Sequence, residues 1–247
     1  MSFNILIAGA GQVGSRHLQG MANYLETLDI YVIDTSKQSL KIAKQRWEQM
    51  FHPSSRSKSN RGIESEVQHK ITFLFSFENL PKEIDVAIIS TNADVRPNVI
   101  KQILKNCEVR YWILEKFLAQ SEALLDEMSS LTNCSVGVWV NTSRRMMTWQ
   151  KQIHNTIPKN VSLNVRASGN QWGMACNGIH YVDLVSWWTG ETLIKVDNFE
   201  LDPQWIKSKR KGFFEITGEL KAFFSGGSNL LMESRLDGMS SKLEIES

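Results

Sequence analysis

Gly9-Ala10-Gly11-Gln12-Val13-Gly14 follows a short apolar run, Asn4-Ile5-Leu6-Ile7-Ala8, and precedes a stretch with helical spacing. Glycine suits those places for separate reasons. Gly9 permits a tight turn, Gly11 lets backbone approach a pyrophosphate, and Gly14 lets a helix pack close on a strand. The N–H groups of the helix N-terminus then face the phosphates. Asp34 lies 20 residues after Gly14, at the end of a second apolar run, Ile30-Tyr31-Val32-Ile33. A carboxylate there can bind both ribose hydroxyls and repels a 2′-phosphate, so the pattern predicts NAD over NADP. Lys37, three residues on, softens that preference. The plainer reading is a glycine turn and an unconnected surface aspartate. It leaves the strand, the helix and the spacing without a common cause.

Other residues able to do chemistry are fewer. Lys116 follows the apolar run Tyr111-Trp112-Ile113-Leu114, at the edge of a predicted sheet where ligands bind in such folds. A solvated lysine after a strand is the alternative. His180 and Asp183 are three apart in a predicted helix and share a face, as an oriented acid–base pair requires. An ordinary, partly buried histidine is the alternative there. Trp172, Trp187 and Trp188 could stack on the flat face of a ligand or pack in the core. Arg144-Arg145 could face an anion or form a surface pair. The three cysteines, Cys107, Cys134 and Cys176, contain no Cys-x-x-Cys pair, and the five histidines contain no His-x-x-x-His pair. This excludes a zinc ribbon and a disulfide scaffold, predicts no dedicated metal site, and suits a reducing cytoplasm.

The elements that must hold these residues are legible. The chain has 247 residues, room for one to two domains at about 150 residues each. Lys+Arg number 28 and Asp+Glu 26, a net charge of +2. That balance argues against a protein built around nucleic acid or an anionic membrane. No apolar run approaches the roughly 18 residues of a membrane span, and the N-terminus does not read as a signal peptide. Strands are predicted at 4–8, 30–33, 71–75, 86–90, 111–114 and 135–140. Helices between them include one with Val13, Leu18, Met21 and Leu25 on one face, one from Lys37 to Met50, and others near 94–106 and 121–131. Thr35 or Ser36 can cap the second of these. Apolar strands alternating with helices predict a parallel sheet covered on both faces. The segment His52–Gly62 is polar, basic and serine-rich, and reads as a surface loop. Beyond Asn141 the texture changes. A helix is predicted at 144–156, strands at 161–168, 194–201, 212–224 and 229–236, and one helix at 178–189. The expectation is α/β: a doubly wound dinucleotide-binding domain over 1–140, then an α+β substrate or oligomerisation domain over 141–247 with a mostly antiparallel sheet.

Four segments carry a family resemblance. Gly11-Gln12-Val13-Gly14-Ser15-Arg16-His17-Leu18 resembles the opening of the Gfo/Idh/MocA oxidoreductases, the glucose–fructose oxidoreductase and inositol dehydrogenase family. Ser90-Thr91-Asn92-Ala93-Asp94-Val95-Arg96 is similar to the family segment that borders the nicotinamide. Leu114-Glu115-Lys116-Phe117 is similar to the Glu-Lys-Pro signature, and Gly178-Ile179-His180-Tyr181-Val182-Asp183 to Gly-x-His-x-x-Asp. The resemblance implies a Rossmann fold and hydride transfer between NAD and a hydroxyl-bearing carbon of a sugar, cyclitol or nucleotide-sugar-like substrate. It implies that Lys116 hydrogen-bonds the reacting oxygen, that His180 handles the proton, and that Asp183 is a carboxylate near the substrate. The implied cofactor contacts are Gly9, Gly11, Gln12, Val13, Gly14 and Asp34, with Thr91, Asn92 and Glu115. A homo-oligomer through the C-terminal sheet is a further implication.

Three places depart from the pattern. Cys176 stands where the family commonly has the relay aspartate, and a thiol does not replace a carboxylate at neutral pH. Phe117 replaces the signature proline. A non-proline cis bond costs roughly 3 kcal/mol, so the expectation is a trans bond and a shifted lysine. The family usually continues well past 247 residues, so the second domain reads as short or truncated. These departures motivate an alternative, a non-catalytic NAD-binding regulator or partner subunit.

Overall fold

The computed structural model describes residues 2–51, 68–208, 212–238 and 240–247. The serine-rich segment His52–Gly62 lies outside the described residues. Two compact units divide the chain, Met1–Asn141 and Thr142–Ser247.

The first unit runs β1 (Phe3–Ala8), α1 (Gln12–Met21), β2 (Leu28–Ile33), α2 (Lys37–Met50), β3 (Lys70–Leu74), β4 (Glu83–Ile89), α3 (Arg96–Leu104), β5 (Glu108–Leu114), α4 (Glu122–Thr132) and β6 (Gly137–Val140). All six strands are parallel, in the order β3-β2-β1-β4-β5-β6. This is the doubly wound Rossmann sheet, and its order reverses between β1 and β4, where such sheets bind ligands. The apolar runs follow from burial on both faces. In β1, Leu6 and Ala8 pack with Ile89, Ile100 and Trp112 on one side. Ile5 and Ile7 pack with Leu18, Ile30 and Val32 on the other. Ser36 caps α2 by accepting from the Ser39 N–H at 3.2 Å.

Two expectations about burial fail in this unit. Of the four apolar residues predicted on one face of the first helix, Leu18 is fully buried, whereas Val13 and Leu25 are exposed. The helix ends at Met21, so Leu25 falls past it, and Val13 sits in the first turn beside the glycine loop. The sixth strand reads as buried but is largely exposed, Trp139 included. It is the edge strand, and an apolar run cannot distinguish an edge from a centre.

The second unit holds α5 (Thr148–Thr156), β7 (Asn164–Asn170), α6 (Met174–Thr189), β8 (Leu193–Asp197), β9 (Ile206–Lys207), β10 (Phe214–Glu215), β11 (Gly218–Phe224), β12 (Asn229–Arg235) and β13 (Lys242–Glu246). Its five-stranded sheet has the order β13-β7-β12-β11-β8, antiparallel except for β7 with β12. Val165, Ala167, Leu230 and Met232 pack against Leu184, Val185 and Trp188 of α6. The chain is therefore α/β, a parallel Rossmann sheet joined to an α+β unit with a mostly antiparallel sheet.

Here too the details differ from expectation. The predicted helix 144–156 is a short 3-10 turn, Ser143–Met146, followed by α5, because Met147 is extended. The predicted strand 212–224 is broken into β10 and β11, where the Thr217 carbonyl accepts from the Asp202 N–H at 3.0 Å. The strand predicted at 194–201 ends at Asp197, and the predicted helix 178–189 begins earlier, at Met174. Lys242–Glu246 forms a strand of its own, antiparallel to β7. No helix among the described residues is long and apolar enough to cross a membrane.

Candidate functional site

The glycine loop sits at the sheet's switch point. Gly9 has φ +95°, which side chains avoid. A Cβ on Gly14 would lie 1.8 Å from the Gly9 carbonyl oxygen, so only glycine lets α1 approach β1 this closely. A Cβ on Gly11 would meet nothing within 4 Å, so the space before the helix is open. Gly11 is the N-cap of α1, and no side chain caps it. Asp34 stands beside this loop. Its carboxylate accepts from the Ala10 N–H at 2.7 Å and from the Ser36 N–H at 2.7 Å. Thr91, past the end of β4, reaches the loop as well: its Cγ2 would lie 3.1 Å from a Cβ on Gly9. The buried hydroxyls of Ser90 and Thr91 have no hydrogen-bond partner among the described residues. An open cradle, an uncapped helix and orphan hydroxyls suit a polyanionic ligand such as a dinucleotide. Gln12 is tied to α2, its Oε1 accepting from Arg46 at 2.8 Å. Asn92 and Val13 lie exposed at the loop's border.

Glu115 and Lys116 follow β5. The Lys116–Phe117 peptide is cis, which corrects the expected trans bond. The turn is tied down by Arg96, a residue 1% exposed. Its guanidinium donates to the carbonyls of Phe117, Leu118 (2.8 Å) and Thr91 (2.6 Å). These bonds fix the backbone that a proline would otherwise restrain. Burial pushes the Arg96 pKa down to about 10, opposed by the charges of Glu115 and Asp94, so it is cationic at neutral pH. Lys116 is half-buried, with Nζ 5.9 Å from the Phe117 ring centre. The Glu115 side chain is bound to protein groups. Its Oε1 accepts from Asn141 and lies 3.4 Å from His17 Nε2. Burial pushes its carboxyl up, yet the hydrogen bonds from His17 and Asn141, with the charges of His17 and Arg96, leave it below the ordinary value.

In the second unit, α6 carries Cys176, His180 and Asp183 on one face, at i, i+4 and i+7. His180 is buried and Cys176 exposed. Asp183 is engaged by Arg145, whose Nε donates to Oδ2 at 2.6 Å and whose Nη2 donates to Oδ1. Arg144 lies over the Tyr181 ring at 4.4 Å. Both arginines thus have partners within the unit. The tryptophans do too. Trp188 is in the core, Trp187 stacks on His154, and Trp172 donates to the Glu233 carbonyl at 2.8 Å.

The structure thus groups Gly9, Gly11, Gly14, Asp34 and Thr91 around one loop, and places His180 and Asp183 together on one helix. Sequence reasoning missed Arg46, Arg96 and Asn141. Arg96 is the one with a signal, a charged residue at the start of a predicted helix.

No family model matches the chain, and no curated protein is significantly similar to it. Solved structures are similar in fold. The myo-inositol dehydrogenase of Lactobacillus casei, in complex with NAD(H) and myo-inositol, is 14% identical, with a TM-score of 0.67 over 99% of this chain and 71% of that one. The UDP-N-acetylglucosamine 3-dehydrogenase of Acidithiobacillus ferrooxidans is 11% identical, with a TM-score of 0.66 over 99% and 74%. An oxidoreductase of Desulfitobacterium hafniense, assigned as NADPH-dependent, is 12% identical, with a TM-score of 0.68 over 99% and 69%. The chain has the fold of the Gfo/Idh/MocA oxidoreductases.

Proposed function

We propose that the protein is an oxidoreductase that transfers a hydride between NAD and a hydroxyl-bearing carbon of a sugar, cyclitol or nucleotide-sugar-like substrate. The observation that carries this reading is the uncapped N-terminus of α1 at the switch point, with Asp34 hydrogen-bonded to the loop beside it. The myo-inositol and UDP-N-acetylglucosamine dehydrogenases among the similar folds support the substrate class. Asp34 favours NAD over NADP because its carboxylate repels a 2′-phosphate.

NAD, when bound, accepts or returns the hydride. Glycine-loop N–H groups would hold its pyrophosphate, and Thr91 and Asn92 would border its nicotinamide. As an alcohol loses its hydride, its oxygen becomes more acidic. The Lys116 ammonium stabilises the charge developing on that oxygen, and His180 takes its proton. Asp183 acts through Arg145, which its carboxylate orients. Self-association through the sheet face turned away from α6, which carries Arg166, Glu219, Glu233 and Arg235, belongs to the same proposal.

The test is a titration with NADH and NADPH, read as energy transfer from tryptophan to reduced nicotinamide. Saturable NADH binding with much weaker NADPH binding is expected. No binding of either would overturn the reading. A second reading, a non-catalytic NAD-binding regulator or partner subunit, is favoured by the exposed Cys176 thiol four residues before His180. It predicts the same binding without NAD reduction across a panel of polyols, sugars and nucleotide sugars.

A further inference from the structure

Glu115 is 7% exposed, yet its carboxylate is ionised and held by groups from distant parts of the fold. His17 comes from α1, one turn past Gly14 and 98 residues away in sequence. Asn141 follows β6, and its own N–H donates to the Leu114 carbonyl at 2.8 Å. The Glu115 N–H donates to the Ile89 carbonyl at 3.1 Å, at the end of β4. On the far side of Lys116, the Phe117 and Leu118 carbonyls are bound by Arg96. Lys116 is therefore flanked by two anchors. One of them, through His17, reaches the helix that begins at the glycine loop.

The contact has a defined chemistry. His17 Nε2 lies 3.4 Å from Glu115 Oε1 and 3.3 Å from Asn141 Nδ2. Asn141 Nδ2 only donates. A proton on Nε2 therefore serves Glu115, and a bare Nε2 serves Asn141. In both arrangements Asn141 keeps its bond to Glu115, so α1, the end of β5 and the end of β6 stay joined.

We propose that Glu115 is a positioning residue that ties Lys116 to the glycine-loop helix through His17 and Asn141, so that dinucleotide binding and the placement of the lysine are coupled. This rests on the roles of the loop and Lys116 proposed above. It gives Glu115 a role exerted through His17, Asn141 and Lys116, in place of the cofactor contact that the resemblance implies.

The experiment is amide hydrogen exchange by mass spectrometry on the full chain, without and with NADH, for wild type, His17→Ala, Glu115→Ala and Glu115→Gln. Peptides over residues 28–33, which hold none of these groups, serve as the internal reference. In the cofactor-free protein, His17→Ala and Glu115→Ala are expected to speed exchange over residues 114–119 about tenfold or more relative to that reference. Glu115→Gln keeps the size and one acceptor oxygen, the one that Asn141 and His17 share, and is expected to restore most of the protection. NADH is expected to slow exchange at 114–119 in wild type and not in Glu115→Ala. In turnover, Glu115→Ala is expected to lower kcat about 10- to 100-fold with a smaller change in KM, and Glu115→Gln to recover most of it. Unchanged exchange at 114–119 in both alanine variants would overturn the tie, whatever the cofactor does. A wild type that shows the tie but binds no NADH would overturn the dinucleotide reading, and with it the coupling.

Discussion

Lys116 carries the proposed chemistry of the first unit. The lysine is half-buried at the sheet edge, and Arg96 and Glu115 hold the backbone on either side of it. Replacing it should remove charge stabilisation that matters only as hydride leaves. Lys116→Ala is expected to lower kcat by roughly 10²- to 10⁴-fold and to change NADH affinity by less than about threefold. Steady-state rates beside the tryptophan titration check this, and unchanged turnover would remove Lys116 from the mechanism. The cysteines make a second prediction. Cys107 is in the core, its thiol bonded to the Ile103 carbonyl at 3.3 Å, and burial pushes it up to about 11. Cys134 and Cys176 are exposed. An aromatic disulfide reagent should therefore titrate two thiols in the native protein and the third only in denaturant. At this scale the glycines and Asp34 are legible because their chemistry demands a fixed spacing within one strand–helix–strand unit. The contacts of Arg96 with the Phe117 and Leu118 carbonyls, 21 and 22 residues away, and of Asn141 with Glu115, 26 residues away, are not, because no local spacing encodes them.

Among the elements, α1 offers a direct comparison of two glycines. A Cβ on Gly14 meets the Gly9 backbone at 1.8 Å, and a Cβ on Gly20 meets nothing within 4 Å. Gly14→Ala must push the helix off the strand, at a cost of about 2–4 kcal/mol and most of the dinucleotide affinity. Gly20→Ala lies in the same helix and should stabilise by about 0.5–1 kcal/mol. Urea unfolding of the two variants reads both signs, and destabilisation by Gly20→Ala of the size expected for Gly14→Ala would refute the packing argument. The same element shows the limit of pattern reading. Periodicity placed Val13 and Leu25 on the buried face with Leu18, but the helix ends before Leu25, and only the loop geometry leaves Val13 exposed.

For the whole molecule, each unit buries a carboxylate that folding keeps ionised. Glu115 is pushed up by burial but held below its ordinary value by His17, Asn141 and Arg96. Hydrogen bonds from Arg166 and then Arg235 hold Glu233 below it as well. Both groups have an ordinary value of 4.5. Below that pH the unfolded chain takes up these protons first, so stability is full above about 4.5 and falls as the pH drops toward the depressed folded values. The urea midpoint should fall through this acid window. Glu115→Gln and Glu233→Gln should each flatten part of the fall, and a midpoint with the same acid slope in both variants would contradict the assignment.

The sequence by itself determined the fold class, the strand–helix alternation, the glycine loop with Asp34, and the pairing of His180 with Asp183 on one helix. These follow from short-range rules: burial on both faces makes apolar runs, and helical repeat sets i, i+3 neighbours. Tertiary structure alone decided that the sixth strand is an exposed edge and that Lys242–Glu246 pairs with β7. It also gave Asp183 to Arg145, bound Glu115 to His17 and Asn141, and replaced a proline's restraint on Lys116 with a buried arginine. Each of those outcomes depends on which distant group fills the next hydrogen-bonding or packing position, and no local spacing encodes that.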